Sequence, residues 1–126
     1  MESIAKQPKV LILEDYISVR HLIYVELKHR NIESVEAENF ADAFLKFQST
    51  DGKFDWIITE YELNHDNTGI KFINWVEKIN PTIRSIILTN NIKAVDGYQT
   101  VKGLKAIISK HDEDFFGQIE RTIKGE

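Results

Sequence analysis

Five short apolar runs alternate along the chain with segments in which apolar residues recur every three or four positions, and this alternation limits the possible folds most. The runs are Val10–Leu13, Phe54–Thr59, Ile83–Thr89 and Leu104–Ser109, with a weaker candidate strand at Ser34–Ala37, which contains a serine and a glutamate. Runs of consecutive Val, Ile and Leu are typical of strands buried on both faces, as in a parallel sheet, and the periodic segments between them indicate helices. The sequence therefore predicts five βα units, (βα)5, folded as a doubly wound three-layer α/β sandwich.

The segments between the runs predict five helices: Tyr16–Arg30, Phe40–Phe47, Ile70–Ile79, Ala94–Lys102 and Phe115–Ile123. Asp15 and Asn39 precede the first two and are candidate N-caps, because short polar side chains accept hydrogen bonds from the free N–H groups of a first helical turn. Asn80-Pro81 is expected to end the third helix. The fourth helix has the poorest sequence, because Asp96-Gly97 lies inside it and Gly103 follows it.

Composition excludes several classes of protein. The 126 residues contain no cysteine, which removes thiol chemistry, Cys-ligated zinc and disulfides. The 16 Lys and Arg residues are scattered among 20 Asp and Glu residues, which argues against a nucleic-acid surface. No stretch approaches the roughly 20 apolar residues of a membrane span. We expect one soluble, cytoplasmic domain over residues 1–126, with residues 1–8 as an N-terminal extension. The four histidines lack the spacing of a metal site: His21, His29, His65 and His111.

Charged and hydroxyl side chains follow four of the predicted strands. The first strand ends at Glu14-Asp15, the third at Glu60, the fourth at Thr89 and the fifth at Lys110. Ligands of doubly wound folds bind outside the carboxyl ends of the strands, so these groups are expected to share one site. Three converging carboxylates raise one another's pKa unless a cation neutralises them, and Mg2+ prefers oxygen ligands. The sequence therefore indicates a site for a hard divalent cation.

The loop after the first strand excludes two common ligands of this fold class. A dinucleotide or a P-loop nucleotide needs a glycine-rich loop whose backbone N–H groups reach the phosphates. The segment 14–18 contains no glycine and begins with two carboxylates. A flavin phosphate would be repelled by the same two charges.

With these residues in place, the sequence resembles the receiver domain of two-component response regulators from about Lys9 to Lys124. The resemblance implies a five-stranded parallel sheet of order 2-1-3-4-5, the flavodoxin-like arrangement. It also implies that Glu14 and Asp15 are the acidic pair of the family, and that Glu60 stands where the phospho-accepting aspartate would be. A weakly bound Mg2+ would be held by these three side chains and the backbone carbonyl of Glu62.

The same resemblance assigns Thr89 and Lys110 to the hydroxyl and the lysine that hold the phosphorylated state of a receiver. In the family, an aspartate takes a phosphoryl group from a histidine kinase or a small phospho-donor while Mg2+ offsets charge on the oxygens. Such a transfer depends on an in-line nucleophile and electrostatic clamps more than on acid-base groups.

Glu60 departs from that pattern, because its extra methylene moves the carboxylate outward by one C–C bond, ~1.5 Å. A shift of this size can cost ~100-fold in a reaction that requires near-attack geometry. We therefore expect phosphotransfer to be absent or feeble. The carboxylate carries one negative charge where a phosphoryl group would carry ~1.5 to 2, so Glu60 is interpreted as a partial phosphomimic. It is either native or introduced in place of an aspartate.

Two further positions depart from the family. His111 follows Lys110 where receivers usually have a proline after a cis bond, and a non-proline cis bond costs ~3 to 4 kcal/mol. We expect a trans bond there or a strained cis one. The family's aromatic switch position is matched by Ile107, so no aromatic ring can turn towards Thr89.

Three functions are compatible with these residues. The first is a non-enzymatic, single-domain signalling module that binds a partner independently of phosphorylation through residues about 92–124. The second is a conventional phospho-accepting receiver whose aspartate was replaced by Glu60. The third is a Mg2+-dependent phosphoryl-transfer enzyme of similar fold. Expected partners are a histidine kinase, a phosphotransfer protein or a downstream effector, with the chain a monomer or weak homodimer. Asp66 is a poor substitute acceptor, because it is offset from the strand end.

Overall fold

The computed structural model describes residues 8–63 and 68–125, and it contains one parallel sheet covered by helices on both faces. The strands are β1 Lys9–Leu13, β2 Glu33–Ala37, β3 Trp56–Glu60, β4 Arg84–Thr89 and β5 Leu104–Ser109. The helices are α1 Ile17–His29, α2 Phe40–Ser49, α3 Gly69–Ile79 and α4 Phe115–Lys124. The strand order is β2-β1-β3-β4-β5, and every pairing is parallel. This order confirms the fold class.

Each face of the sheet has its own apolar core. On one face, α2 and α3 pack through Phe47, Phe72 and Ile73 against inward-facing residues of β1, β3 and β4. On the other face, α1 and α4 pack through Leu27 and Ile119. β3 lies at the centre and is buried along its whole length. The two cores hold the strand ends in a fixed register, which is what positions the site.

The predicted helix at Ala94–Lys102 is wrong. The β4–β5 connection instead contains two short 3-10 turns, Ile92–Ala94 and Tyr98–Thr100. Between them Gly97 adopts a left-handed φ of 77°, which glycine reaches at no steric cost and which interrupts a right-handed helix. The described residues therefore form four α-helices and not five, and only Val95 and Val101 of this segment are buried.

The helix ends agree with one of the two capping predictions. The side chain of Asn39 accepts a hydrogen bond from the Asp42 N–H at 2.8 Å, so it caps α2 as expected. Asp15 does not cap α1, whose N-cap is Tyr16 without a side-chain hydrogen bond. The Tyr16 N–H instead donates a hydrogen bond to the side chain of Glu14 at 3.1 Å, so the acceptor near the start of α1 is Glu14 and not Asp15. Asn80 ends α3 as predicted.

Two smaller expectations concern the Lys110–His111 peptide bond and membrane-spanning helices. The described residues contain no cis peptide bond, so the Lys110–His111 bond is trans. No helix within residues 8–63 and 68–125 has both the length and the apolar character that crossing a membrane requires. The expected N-terminal extension, His65 and Asp66 lie outside the described residues, apart from Pro8.

Candidate functional site

The carboxyl ends of β1, β3 and β5 bring Glu14, Glu60 and Lys110 into one buried group, here called the Glu-Lys-Glu cluster. The Lys110 Nζ atom lies 2.6 Å from Glu14 Oε2 and also forms an ion pair with Glu60 Oε2. The side chains of Glu14, Glu60 and Lys110 are 1%, 6% and 14% exposed, respectively. One ammonium thus bridges two carboxylates that come from different strands.

The backbone fixes the other oxygen of each glutamate. Glu14 Oε1 accepts a hydrogen bond from the Tyr16 N–H at 3.1 Å, and Glu60 Oε1 accepts one from the Glu62 N–H at 3.4 Å. The two Oε2 atoms face only the Lys110 ammonium among the described residues. Each carboxylate is therefore held between a loop N–H and the lysine, which gives both side chains a fixed direction.

The start of α3 packs directly against the backbone of Glu60. The Gly69 N–H donates to the Tyr61 carbonyl at 2.9 Å, and a Cβ atom at Gly69 would collide with the Glu60 carbonyl oxygen and with Thr59. Glycine is required here by this close approach. On the opposite side, the Lys110 N–H donates to the Thr89 carbonyl at 2.8 Å and fixes the end of β5 beside β4.

Burial dominates the ionisation of the cluster. Burial raises the pKa of Glu14 from 4.5 to about 7, against the lowering effect of the Lys110 ammonium. Burial likewise raises the pKa of Glu60, and the nearby charge of Asp15 adds to the increase. For Lys110, burial lowers the pKa, but the hydrogen bonds and charges of the two glutamates outweigh it and raise the pKa above its ordinary value. Lys110 is therefore charged at neutral pH, whereas Glu14, with a pKa of about 7, is only partly ionised there.

Thr89 does not join the cluster, although its backbone does. Its side chain is buried, and its hydroxyl accepts a hydrogen bond from the Asn91 N–H at 3.0 Å and donates to the Asn91 carbonyl at 3.1 Å. The hydroxyl thus shapes the turn that leaves β4. Ile107, at the expected switch position, is partly buried and packs against the core beneath α2 and α3.

The acidic residues named as magnesium ligands do not surround a cation site in this arrangement. Glu14 and Glu60 turn towards Lys110, Asp15 is half-buried beside them, and Glu62 is exposed. Within residues 8–63 and 68–125, no three His, Asp or Glu side chains form a group that could hold a metal ion. Magnesium binding by Glu14, Asp15, Glu60 and the Glu62 carbonyl stays a prediction.

Tyr61 is a structural contact that the sequence analysis missed. It directly follows Glu60, its side chain is 9% exposed, and its hydroxyl accepts a hydrogen bond from the Asp96 N–H at 3.0 Å. A buried tyrosine hydroxyl usually needs a hydrogen-bond partner. The position of Tyr61 directly after a buried strand could therefore have predicted a tertiary hydrogen bond. The contact ties the β4–β5 connection to the residue next to Glu60.

Comparisons with known proteins identify the fold. No protein-family model and no curated protein matches the sequence. A response regulator receiver domain protein from Clostridium thermocellum is similar, with 19% identity and a TM-score of 0.79 over 94% of this chain and 92% of that one. The chemotaxis response regulator CheY4 of Vibrio cholerae has 23% identity and a TM-score of 0.77 over 93% and 99% of the two chains.

A third similar structure is the response regulator protein TrrA from Thermotoga maritima, solved in complex with Mg2+-BeF. It has 22% identity and a TM-score of 0.77 over 94% of this chain and 98% of that one. At these identities the likeness shows the fold alone. The chain has the fold of response regulator receiver domains, and the arrangement of strands and helices agrees over nearly the full length of each structure.

Proposed function

We propose that this chain is a single-domain signalling module of two-component systems in which Glu60 takes the place of a phosphorylated acceptor. The observation that carries the proposal is the ion pair between the Glu60 carboxylate and Lys110 at the carboxyl ends of β3 and β5. In the receiver pattern, that lysine holds the phosphorylated acceptor. A carboxylate that already pairs with the lysine supplies part of that charge without phosphorylation, since it carries −1 where a phosphoryl group carries ~1.5 to 2 negative charges.

The same geometry supports a module that does not catalyse its own phosphorylation. Glu60 places one oxygen on the Glu62 N–H and the other on Lys110, so whichever oxygen attacked a phospho-donor would already be engaged in one of these contacts. The extra methylene also shifts the nucleophile by ~1.5 Å from the position of an aspartate. Reactions that rely on near-attack geometry lose ~100-fold from misplacements of this order.

The proposed docking surface lies in residues about 92–124, where a downstream effector binds. It consists of the turn segment after β4, the edge strand β5 and helix α4. Ile92 and Tyr98 are 50% and 40% exposed on the turn segment, which gives this surface apolar side chains beside the sheet edge. Tyr61 anchors the same segment from the residue that follows Glu60, so the surface is in direct contact with the region of the cluster.

Two measurements test the proposal together. Intact mass after treatment with acetyl phosphate and Mg2+ is expected to show no added phosphoryl group on the native chain, while the Glu60→Asp variant gains one. Capture of a partner from the source cell by the native chain is expected to be equal with and without acetyl phosphate. Strict dependence of capture on acetyl phosphate would disprove the phosphomimic role.

The alternative is a conventional receiver in which Glu60 replaces an aspartate, with a histidine kinase or phosphotransfer protein as the donor. In that case the Glu60→Asp variant both gains the phosphoryl mass and acquires phosphate-dependent capture that the native chain lacks. We further propose that this chain folds as one domain and is cytoplasmic, as a monomer or weak homodimer. Weak Mg2+ binding by the acidic residues is checked by calorimetric titration, with Glu14→Gln as the variant that removes a ligand.

A further inference from the structure

A second polar site lies at the amino ends of the strands, where β3, β4 and β5 begin and α4 ends. A pocket of about 430 Å³ there is lined by Trp56, Arg84, Lys105, Arg121 and Lys124, together with the last residues of α4. Four of its lining residues are cations and none is acidic, in a chain whose net charge is −4. This pocket, here called the basic pocket, is therefore opposite in charge to the chain as a whole.

Two of the four cations have no acidic partner within residues 8–63 and 68–125. The guanidinium of Arg84 lies over the Trp56 ring at 4.7 Å from the ring centre, and among the described residues neither Arg84 nor Lys105 pairs with a carboxylate. The cation–π contact restrains the position of the guanidinium above the ring. The pocket thus presents two unneutralised positive charges, one of them preorganised.

The other two cations complement the end of α4. Arg121 pairs with Asp114 at 2.6 Å and Lys124 pairs with Glu120 at 2.7 Å. Both lie in the last turn of α4, where the helix dipole places a partial negative charge. Arg121 and Lys124 thus reduce the repulsion between the partial negative charge of this helix end and a bound anion. Arg84 and Lys105, which pair with no carboxylate among the described residues, can then bind the anion.

The indole of Trp56 lines the basic pocket and is buried beneath it. The Trp56 side chain is 1% exposed, and its Nε1–H group has no hydrogen-bond partner among the described residues. Buried polar groups in folded proteins are nearly always hydrogen-bonded, so an unpaired donor requires an explanation. Indole, guanidinium and ammonium groups are all donors without an acceptor. The exposed cations of the pocket therefore suit a ligand that offers acceptors only.

We infer that the basic pocket binds a small molecule through a phosphoryl dianion. A phosphoryl group carries ~1.5 to 2 negative charges at neutral pH, which match the two cations that have no carboxylate partner in the described part of the chain. A carboxylate would neutralise only one of the two. The volume lies in the ~300 to 1,000 Å³ range of small-molecule sites, so the phosphoryl group is part of a larger compound. This site lies at the other end of the sheet from Glu60 and does not depend on the proposed function.

The experiment compares phenyl phosphate with benzoate, which have the same ring but carry a dianion and a monoanion. Each is titrated into the full chain at constant ionic strength, and the Trp56 indole Nε1–H resonance is followed by NMR. Phenyl phosphate is expected to shift this resonance saturably and to bind at least tenfold more tightly than benzoate. No saturable shift with phenyl phosphate, or equal affinity for the two compounds, would overturn the inference.

Charge variants identify the binding groups. Arg84→Gln and Lys105→Gln are each expected to weaken phenyl phosphate binding by about tenfold, the usual effect of losing one charge-assisted hydrogen bond. Lys28→Gln is the matched control, because Lys28 is an exposed lysine on α1 outside this pocket. An equal loss of affinity in the control would mean that net charge alone attracts the phosphate, and the site would be rejected.

Discussion

The two ends of the parallel sheet differ in how their charged side chains are buried and paired. At the carboxyl end, Lys110 lies between Glu14 and Glu60, and the three side chains are almost completely buried. At the amino end, Arg84 and Lys105 are exposed and have no carboxylate beside them in the described part of the chain. Charges that neutralise one another inside the fold are coupled to stability, whereas charges left open at the surface contribute little to folding and remain available for binding.

Removal of the lysine from the Glu-Lys-Glu cluster gives the largest expected effect. Lys110→Met keeps most of the side-chain length but removes the cation that faces both buried glutamates. We expect the free energy of unfolding above pH 7, where Glu14 of the native chain is mostly ionised, to fall by about 3 to 5 kcal/mol, the usual consequence of breaking a buried ion pair from one side. Urea denaturation measures the loss.

Lys53→Met is the control for this change, because Lys53 is exposed and lies in the turn before β3. It should alter stability by less than about 0.5 kcal/mol. The double variant Glu14→Gln/Lys110→Met should recover part of the loss, since one buried charge is removed. A loss below about 1 kcal/mol in Lys110→Met would show that water or rearrangement neutralises the glutamates.

The raised pKa of Glu14 makes the carboxyl end sensitive to pH. Its pKa is about 7 in the folded chain and 4.5 for an ordinary glutamate, so between these values the folded state binds more protons than the unfolded state. Stability is therefore expected to fall by roughly 1 to 3 kcal/mol as the pH rises through this window, and to level off above it. Glu60, whose pKa is also raised, contributes with the same sign.

Glu14→Gln tests the origin of this dependence, because the amide imitates the protonated acid. Urea denaturation at several pH values should show a shallower decline for Glu14→Gln than for the native chain. The remaining slope comes from Glu60. Glu113→Gln, at an exposed position before α4, is the control and should keep the native pH profile. A profile that rises with pH in this window would contradict the role of burial.

The sheet was predictable from the sequence because its signal is local. Consecutive Val, Ile and Leu residues mark β1, β3 and β4, and the cluster follows from them, since parallel strands bring their carboxyl ends to one edge. The β4–β5 connection was not predictable in the same way. Its apolar residues fit a helical period, but the left-handed Gly97 and the Tyr61–Asp96 hydrogen bond decide its conformation. That hydrogen bond joins residues far apart in sequence.

The Thr89 hydroxyl lies outside the cluster for a different reason, and its role in the site stays a prediction. Its position at the end of β4 is correct, but a hydroxyl next to a turn can bond to the local backbone in place of a neighbouring strand. Asn91 offers both a donor and an acceptor two residues away, and the hydroxyl takes both. The position of a residue in a strand thus determines where its backbone lies. Competition among local hydrogen bonds determines which partners its side-chain polar atoms bind.

Removal of the Tyr61 hydroxyl tests how firmly the turn segment is held at the carboxyl end. Tyr61→Phe keeps the buried ring and leaves the Asp96 N–H without its acceptor. We expect a loss of about 0.5 to 1.5 kcal/mol in unfolding free energy, the net value of one hydrogen bond. Amide hydrogen exchange should become faster in residues 95–101 and stay unchanged in β3. Unchanged exchange of the Asp96 N–H would show that the hydroxyl does not hold the segment.

The smallest expected effect on stability belongs to the amino end. Arg84→Gln removes a cation–π contact worth ~0.5 to 1 kcal/mol at an exposed site, but it also relieves repulsion with Lys105 in the basic pocket. The two changes oppose each other, so the net effect of Arg84→Gln on stability at low salt should be near zero.

The dependence of stability on salt distinguishes the two ends more clearly. Added NaCl screens exposed charges far more than buried ones, so the native chain should gain stability with salt and Arg84→Gln should gain less. Lys110→Met should retain the native salt response, because its charges are buried. Equal salt responses in the native chain and Arg84→Gln would mean that the cations at the amino end do not repel one another, and the contrast between the two ends would then reduce to burial alone.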